Sequence, residues 1–178
     1  MSDFKIKHQS ENSSARTGIL NTAHGNIETP FFMPIATYGA VKTQSSNEIR
    51  ELPSNILLSN TYHLYIRPGT KILEKSGGLH KFMNWNQIIL TDSGGYQVYS
   101  LQGMRKINDD GVTFQSHLDG SKHNFTPEKV IDIQRSIGSD IMMMLDVCPP
   151  GDANKKKWIE ALNLTTNWAR RAKKHYDK

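Results

Sequence analysis

Short apolar runs recur along the chain, each ending in polar or glycine-rich residues and each followed by residues with helical spacing. The runs are Phe31-Phe-Met-Pro-Ile-Ala36, Asn55-Ile-Leu-Leu-Ser59, Gln87-Ile-Ile-Leu-Thr91 and Ile141-Met-Met-Met-Leu145. Helices are predicted near Ser46–Leu52, near Gly69–Lys75 with Gly77-Gly78 as the stop, over Pro127–Ile137, and from about Asn154 to Tyr176. Thr126 before Pro127 supplies an N-cap and a proline at the first helical position. Continuous apolar strands alternating with helices predict a parallel sheet covered on both faces.

Two stretches break this rhythm. Phe4–Lys7, Arg16–Asn21 and Asn26–Thr29, with turn signals at His24-Gly25, predict an antiparallel lead-in over residues 1–30. Further on, Val112-Thr-Phe-Gln-Ser-His-Leu118 alternates and meets Asp119-Gly120, a strong hairpin turn signal, so a β-hairpin is expected near 106–125. The chain thus reads as one α/β domain over 1–178, with βα units in 31–176.

No Gly-x-Gly-x-x-Gly turn follows any strand, which weakens a dinucleotide-binding sheet and favours a barrel. A (β/α)8 TIM barrel has eight such units and about 250 residues. About four units are readable here, so the expectation is the first four of a TIM barrel. The fourth strand would then leave an unpaired edge unless another chain covers it.

Composition narrows the function classes. Hydrophobic residues make up 37% of the 178, with three Trp and six Phe, enough for a core. No apolar run is long enough to cross a bilayer, and the start Met1-Ser-Asp-Phe-Lys-Ile-Lys-His8 is polar, so no membrane partner and a cytoplasmic location are expected. A single cysteine, Cys148, excludes an intrachain disulfide and a thiolate zinc cluster. The net charge of +5 suits a polyanion such as RNA. The runs Lys155-Lys156-Lys157 and Arg170-Arg171-Ala-Lys173-Lys174 fit a solvated helix face equally well.

Reactive and small residues gather where the apolar runs end: Pro34-Ile-Ala36, Asn60-Thr-Tyr-His63, Asp92-Ser-Gly-Gly95 and Asp146-Val-Cys-Pro149. The carboxyl ends of parallel strands are where barrels and doubly wound sheets keep their active sites. In Asp92-Ser-Gly-Gly-Tyr-Gln97, two glycines allow a flat ligand close to the backbone, Tyr96 offers a stacking face, and Gln97 both donates and accepts. The alternative is a helix cap at Asp92 with Tyr96 in the core. Asp146, ending the next strand, can accept two adjacent N–H groups of a guanine-type ring, or serve as a helix N-terminal charge. Asn60 is a further lining candidate. His63 reads as a structural histidine hydrogen-bonded to backbone, because no partner His or Cys sits at metal-ligand spacing. The other histidines carry no assignment, and Cys148 lacks an identifiable base.

Several blocks resemble the tRNA-guanine transglycosylase family, in its order and spacing, over nearly all of Ala15 to Asp146. They include Ala15-Arg-Thr-Gly18, Glu28-Thr-Pro-Phe-Phe-Met-Pro34, Asn60-Thr-Tyr-His-Leu64, Gly77-Gly-Leu-His-Lys-Phe-Met-Asn-Trp85, Leu90-Thr-Asp-Ser-Gly-Gly-Tyr-Gln97 and Ser116-His-Leu-Asp-Gly-Ser-Lys-His123. Gly94-Gly95 and Thr61-Tyr62-His63 resemble the bacterial branch. The resemblance implies exchange of guanine in tRNA for a 7-deazaguanine, preQ1 or queuine, by double displacement at the ribose. By motif, Asp92 is the catalytic proton acceptor that also contacts the base. Ser93, Gly94, Gly95, Tyr96 and Gln97 line the pocket, and Asp146 holds the pyrimidinone edge. Val147 departs from the family's usual Asp-Glu pair. The resemblance also implies zinc held by three Cys and one His, and a nucleophilic Asp, in a second half that these residues do not include. The expectation is a chain inactive alone, with tRNA, a guanine or 7-deazaguanine base, and a missing half or second chain as partners. Alternatives are a non-catalytic accessory subunit using its open edge, or another base-handling barrel enzyme.

Overall fold

The computed structural model describes residues 3–100 and 105–178; Met1 and Ser2 of the polar start lie outside them. The lead-in forms an antiparallel sheet of β1 (Asp3–Gln9), β2 (Arg16–Thr22) and β3 (Gly25–Thr29), in the order β1-β2-β3. Its inner residue Ile27 packs on Ile56 and Ile88, which seats this sheet against the next one.

That second sheet is parallel, in the order β4 (Ile56–Ser59), β5 (Ile88–Thr91) and β9 (Ile141–Met142), with Leu57 opposite Ile89 and Leu90 opposite Ile141. Ile56, Leu57, Ile88 and Ile89 are fully buried. Each such side chain contributes about 1.5–3 kcal/mol relative to exposure, and this outweighs the modest strand propensity of four-residue runs.

Two of the expected strands are shorter than their apolar runs. Only Ile35 of Phe31–Ala36 bridges, in parallel with Leu58, through Leu58 N–H to Pro34 O (3.0 Å) and Ala36 N–H to Leu58 O (2.7 Å). Pro30 and Pro34 have no N–H to extend that ladder. At the other edge β9 ends at Met142, because buried Gln134 accepts from Met143 N–H (2.9 Å) and donates to Met143 O (2.9 Å). Met143 N–H still reaches Thr91 O (3.2 Å), but the side-chain amide shares that N–H and occupies the carbonyl.

Helices α1 (Ser46–Arg50), α2 (Thr61–Ile66), α3 (Thr70–Ser76), α4 (Leu79–Met83) and α5 (Gly95–Ser100) separate the early strands, with α6 (Pro127–Ile137) and α7 (Lys155–Tyr176) at the end. Ser45 caps α1 in a reciprocal box with Glu48, Thr126 caps α6, and Asn154 caps α7. α2 and α4 had no prediction of their own. They are five- or six-residue turns whose apolar positions, Leu64 and Leu79, are buried by tertiary packing rather than by local propensity. The expected hairpin is a three-stranded antiparallel sheet, β6 (Lys106–Asn108), β7 (Gly111–Gln115) and β8 (Lys122–Phe125). α7 docks through Arg171, which makes a two-pronged pair with Glu128 of α6 (both 2.8 Å) and donates to Asp109 O (2.7 Å). Among the described residues the parallel sheet stays open and no barrel closes.

Candidate functional site

At the end of β5 the chain turns sharply into α5. Gly94 has φ +76, and a Cβ there would lie 3.2 Å from Tyr62 N; a Cβ on Gly95 would sit 2.7 Å from Asp146 Oδ1. Both positions need glycine, one for its backbone angle and one for lack of room.

Asp92 is held as an acceptor. Its Oδ1 receives the Thr61 N–H (2.8 Å) and Gly94 N–H (3.2 Å), and its Oδ2 receives the Asn60 side-chain N–H (2.5 Å). Asn60 occupies the N-cap position of α2 but makes no capping bond of its own. Asp92 caps α2 from the neighbouring strand instead, placing a negative charge at the helix's positive end. Asp92 thus serves as a cap, though for α2 rather than for the helix that follows it.

Asp146 meets the other side of the same turn. Its Oδ1 accepts the Ser93 hydroxyl (2.6 Å), which in turn accepts the Gly95 N–H (3.1 Å); its Oδ2 accepts the Cys148 thiol (3.1 Å). Burial, the bond to Asp146 and the carboxylate's charge push the Cys148 thiol up to about 12. The sulfur stays protonated and is no nucleophile. Val147 packs into the core, its N–H on Thr165 Oγ1 (3.0 Å).

The structure therefore brings Asn60, Asp92, Ser93, Gly94, Gly95 and Asp146 together beyond the strand ends, in two hydrogen-bonded networks joined through the Asp92–Gly95 backbone. Tyr96 projects from the start of α5 at 62% exposure rather than filling the core. Gln97 keeps a buried Oε1 without a partner, a free acceptor beside the turn.

His63 departs from expectation. Its Nδ1 is buried and has no partner, so it is not fixed by a backbone bond. Burial lowers its pKa, His117 lowers it further, and Asp92 opposes both. The ring lies 4.8 Å from Tyr38 and 6.1 Å from His117, whose Nδ1 is 2.9 Å from Tyr62 Oη.

At the opposite ends of the strands, histidines that sequence left unassigned form a second cluster. His24 Nδ1 lies 2.7 Å and His80 Nε2 3.4 Å from the buried Asp140 carboxylate, which also accepts the His24 N–H (3.1 Å) and Ile89 N–H (2.9 Å). Burial alone would raise the Asp140 pKa; bonds from His80, Ile89 and His24 outweigh it and bring it to about 2. Residues 24 and 140 are too far apart in sequence for any local signal to join them. Three potential metal donors lie within 4.8 Å here. The two rings are stacked at 3.8 Å and 20°, so their in-plane lone pairs run side by side instead of converging. His80 Nε2 also donates to Gln87 O (2.9 Å) and must carry a proton. This is a hydrogen-bonded clamp between the lead-in turn and the sheet. With Cys148 committed to Asp146, the described residues do not fit a zinc site.

An α/β chain that gathers two acids and a Gly-Gly turn beyond the carboxyl ends of parallel strands has the layout of an α/β protein whose site lies at the strand ends. Residues 10–178 match the family described as Queuine tRNA-ribosyltransferase, and the chain belongs to that family, covering an N-terminal part of its α/β TIM-barrel fold. Among proteins of that name, the one from Thermoanaerobacter pseudethanolicus is 55% identical over 171 residues, 96% of this chain and 46% of the relative. That from Solidesulfovibrio magneticus is 57% identical over 161 residues, 90% and 43% respectively. That from Fusobacterium nucleatum is 51% identical over 172 residues, 97% and 46%. The chain spans less than half the length of the relatives it matches. No described helix is long and apolar enough to cross a membrane.

Proposed function

We propose that this chain supplies the base-recognition part of a tRNA-guanine transglycosylase, an enzyme exchanging guanine in tRNA for a 7-deazaguanine in the cytoplasm. The observation that carries this reading is the turn Asp92–Gly95 with a carboxylate on each side, Asp92 through Gly94 N–H and Asp146 through Ser93 Oγ. Asp146 then holds the adjacent N–H donors of the base, exchanging its Ser93 and Cys148 partners for them. Asp92, oriented by Asn60 and Thr61, is the catalytic proton acceptor. Ser93, Gly94, Gly95, Tyr96 and Gln97 line the base site, with Tyr96 as the stacking face and Gln97 Oε1 as a free acceptor.

The fold belongs in this reading as the first four βα units of a TIM barrel, with the antiparallel sheet β6-β7-β8 inserted after β5, in one domain over 1–178. No residue of the chain matches the nucleophilic aspartate, and the zinc ligands lie elsewhere in the family, so the chain alone does not turn over. Apolar side chains support a missing partner: Phe32 is 76% and Leu162 of α7 is 65% exposed, and Met143 and Trp158 are also open.

Calorimetric titration with guanine and with preQ1 tests the base site. Binding by the wild-type chain, lost in Asp146→Ala and retained in a surface variant such as Lys156→Ala, supports it; no binding in any form refutes it. Base exchange by the isolated chain at the rate of a full-length relative would refute its incompleteness. The same exposed apolar surface favours a second reading, an accessory subunit docking through its open edge. A monodisperse monomer in light scattering counts against that alternative.

A further inference from the structure

Helix α2 carries two tyrosines, Tyr62 and Tyr65, three residues apart and so on one face. Each meets a histidine beside the turn that joins β7 to β8. Tyr62 Oη lies 2.9 Å from His117 Nδ1, and the two rings stack at 5.7 Å and 26°. Tyr65 Oη lies 3.0 Å from His123 Nδ1. The second pair is one link of a longer chain. Lys129 of α6 donates to Tyr65 Oη (3.1 Å), His123 Nε2 is 2.7 Å from Ser121 Oγ, and Ser121 donates to Asp119 Oδ1 (2.7 Å).

The two ends of this chain fix every proton between them. An ionised carboxylate only accepts, so the Ser121 hydroxyl hydrogen points at Asp119. Ser121 Oγ then accepts from His123, which places a hydrogen on Nε2. An ammonium only donates, so Tyr65 Oη accepts from Lys129 and gives its own hydrogen to His123 Nδ1. One tautomer, the neutral ring with its hydrogen on Nε2, satisfies all five groups. Bonds from Ser121 and Ser116 hold the Asp119 carboxyl down to about 2, so this end stays ionised.

A second proton on His123 has no place in the arrangement. On Nδ1 it would meet the Tyr65 hydroxyl hydrogen. Tyr65 Oη would then have to accept from Nδ1 and Lys129 together, with its own hydrogen left unpaired. The groups facing the ring are Tyr65 of α2, Lys129 of α6, Ser121 and Asp119 of the turn, and Phe114 of β7, stacked on it at 5.6 Å and 26°. Burial and the Lys129 charge lower the His123 pKa, and only Asp119 opposes them.

We propose that the chain Lys129–Tyr65–His123–Ser121–Asp119 is an acid-released latch: neutral His123 holds the turn 116–121 on α2, and a proton on its Nδ1 breaks the link to Tyr65 and loosens that turn. Among the described residues no lysine donates to Tyr62 Oη, so that oxygen can accept from a protonated His117 and the other flank stays tied. α2 is also the helix whose first N–H, on Thr61, holds Asp92, so the latch braces an element of the strand-end cluster.

The test is imidazole-nitrogen NMR of the full chain from neutral to mildly acidic pH, beside amide hydrogen exchange of the turn corrected for intrinsic rates. His123 is expected to carry its hydrogen on Nε2 and to titrate below the ordinary 6.5. Exchange in the turn should rise about tenfold as the pH falls through that titration. His123→Gln should lose this pH dependence, and Tyr62→Phe should keep it. Lys129→Met, which spares the Tyr65–His123 bond, should move the His123 titration back toward 6.5. A hydrogen on Nδ1 at neutral pH overturns the latch, and this reading needs no substitution. Turn exchange that ignores the His123 titration, or that rises equally in His123→Gln, overturns it as well. None of these readouts depends on base binding.

Discussion

The Ser93 hydroxyl donates to Asp146 Oδ1 at 2.6 Å, joining the segments that follow two neighbouring parallel strands. Directly beneath that bond lies Gly95, with no room for a methyl group between its Cα and the carboxylate. The candidate base site is therefore packed as tightly as a core, although its members are polar.

Gly95→Ala sets two effects against each other. Removing glycine from α5 would favour helix by up to about 1 kcal/mol. The added Cβ would lie 2.7 Å from Asp146 Oδ1 and 2.8 Å from its backbone oxygen. Overpacking of this kind costs about 1–3 kcal/mol, so the clash wins. Urea denaturation should show net destabilisation, and guanine binding should weaken with it; a stabilised variant would contradict the packing.

Cys148 should be sluggish toward alkylation. A thiol pushed from an ordinary value of 9.0 to about 12 has its thiolate population reduced on the order of a thousandfold near neutral pH. Iodoacetamide labelling followed by mass spectrometry should be correspondingly slow in the native chain and ordinary in denaturant. Asp146→Asn should accelerate the native reaction, because the opposing charge is gone. Equal rates in native and denatured protein would show that the contact is absent.

Asp140 should contribute a pH-dependent part of stability. Its folded pKa of about 2 lies below the ordinary 3.8, so the contribution is present above 3.8 and lost as pH falls through about 2. For a side chain with no exposure this corresponds to about 2 kcal/mol at neutral pH. Asp140→Asn should lower the urea midpoint near neutrality, and the gap from wild type should close as the pH approaches about 2. A gap that does not change with pH would remove the explanation by hydrogen bonds to the ionised carboxylate.

Gln134 should be intolerant of apolar replacement. Its amide takes the Thr91 hydroxyl (2.7 Å) and Met143 N–H, and gives to Val130 O (3.2 Å) and Met143 O. Gln134→Met keeps the volume but takes the side-chain donor from Met143 O and one of two partners from Thr91 Oγ1 and Met143 N–H, which keep Ser139 Oγ (2.6 Å) and Thr91 O (3.2 Å); a group left unpaired costs about 1–3 kcal/mol. Thermal denaturation should show one of the larger losses for a single substitution in this chain. A neutral result would mean that the chain after β9 is held by other contacts.

The order of strands and helices was legible because burial imposes a pattern: the runs at 55–59 and 87–91 each hold three consecutive apolar residues, which fits strands covered on both faces. The cap Thr126 was equally readable, since it acts within three residues. Strand ends were less so. Pro30 and Pro34 are local reasons for the first run to pair only at Ile35, but the early end of β9 depends on Gln134, a residue of another element. The site divided along the same line. Asp92-Ser-Gly-Gly was a local signal, whereas the bonds from Asn60 and Thr61 to Asp92 span more than thirty residues.

By itself the sequence determined the order of strands and helices, where the chain turns, and that Asp92 follows a buried strand, because these follow from periodicity and local backbone chemistry. Only the tertiary structure decided that Asp92 caps a helix from an adjacent strand and that His24 and His80 share Asp140. Those relationships join positions far apart in the chain, and their energies exist only once packing has expelled water between them.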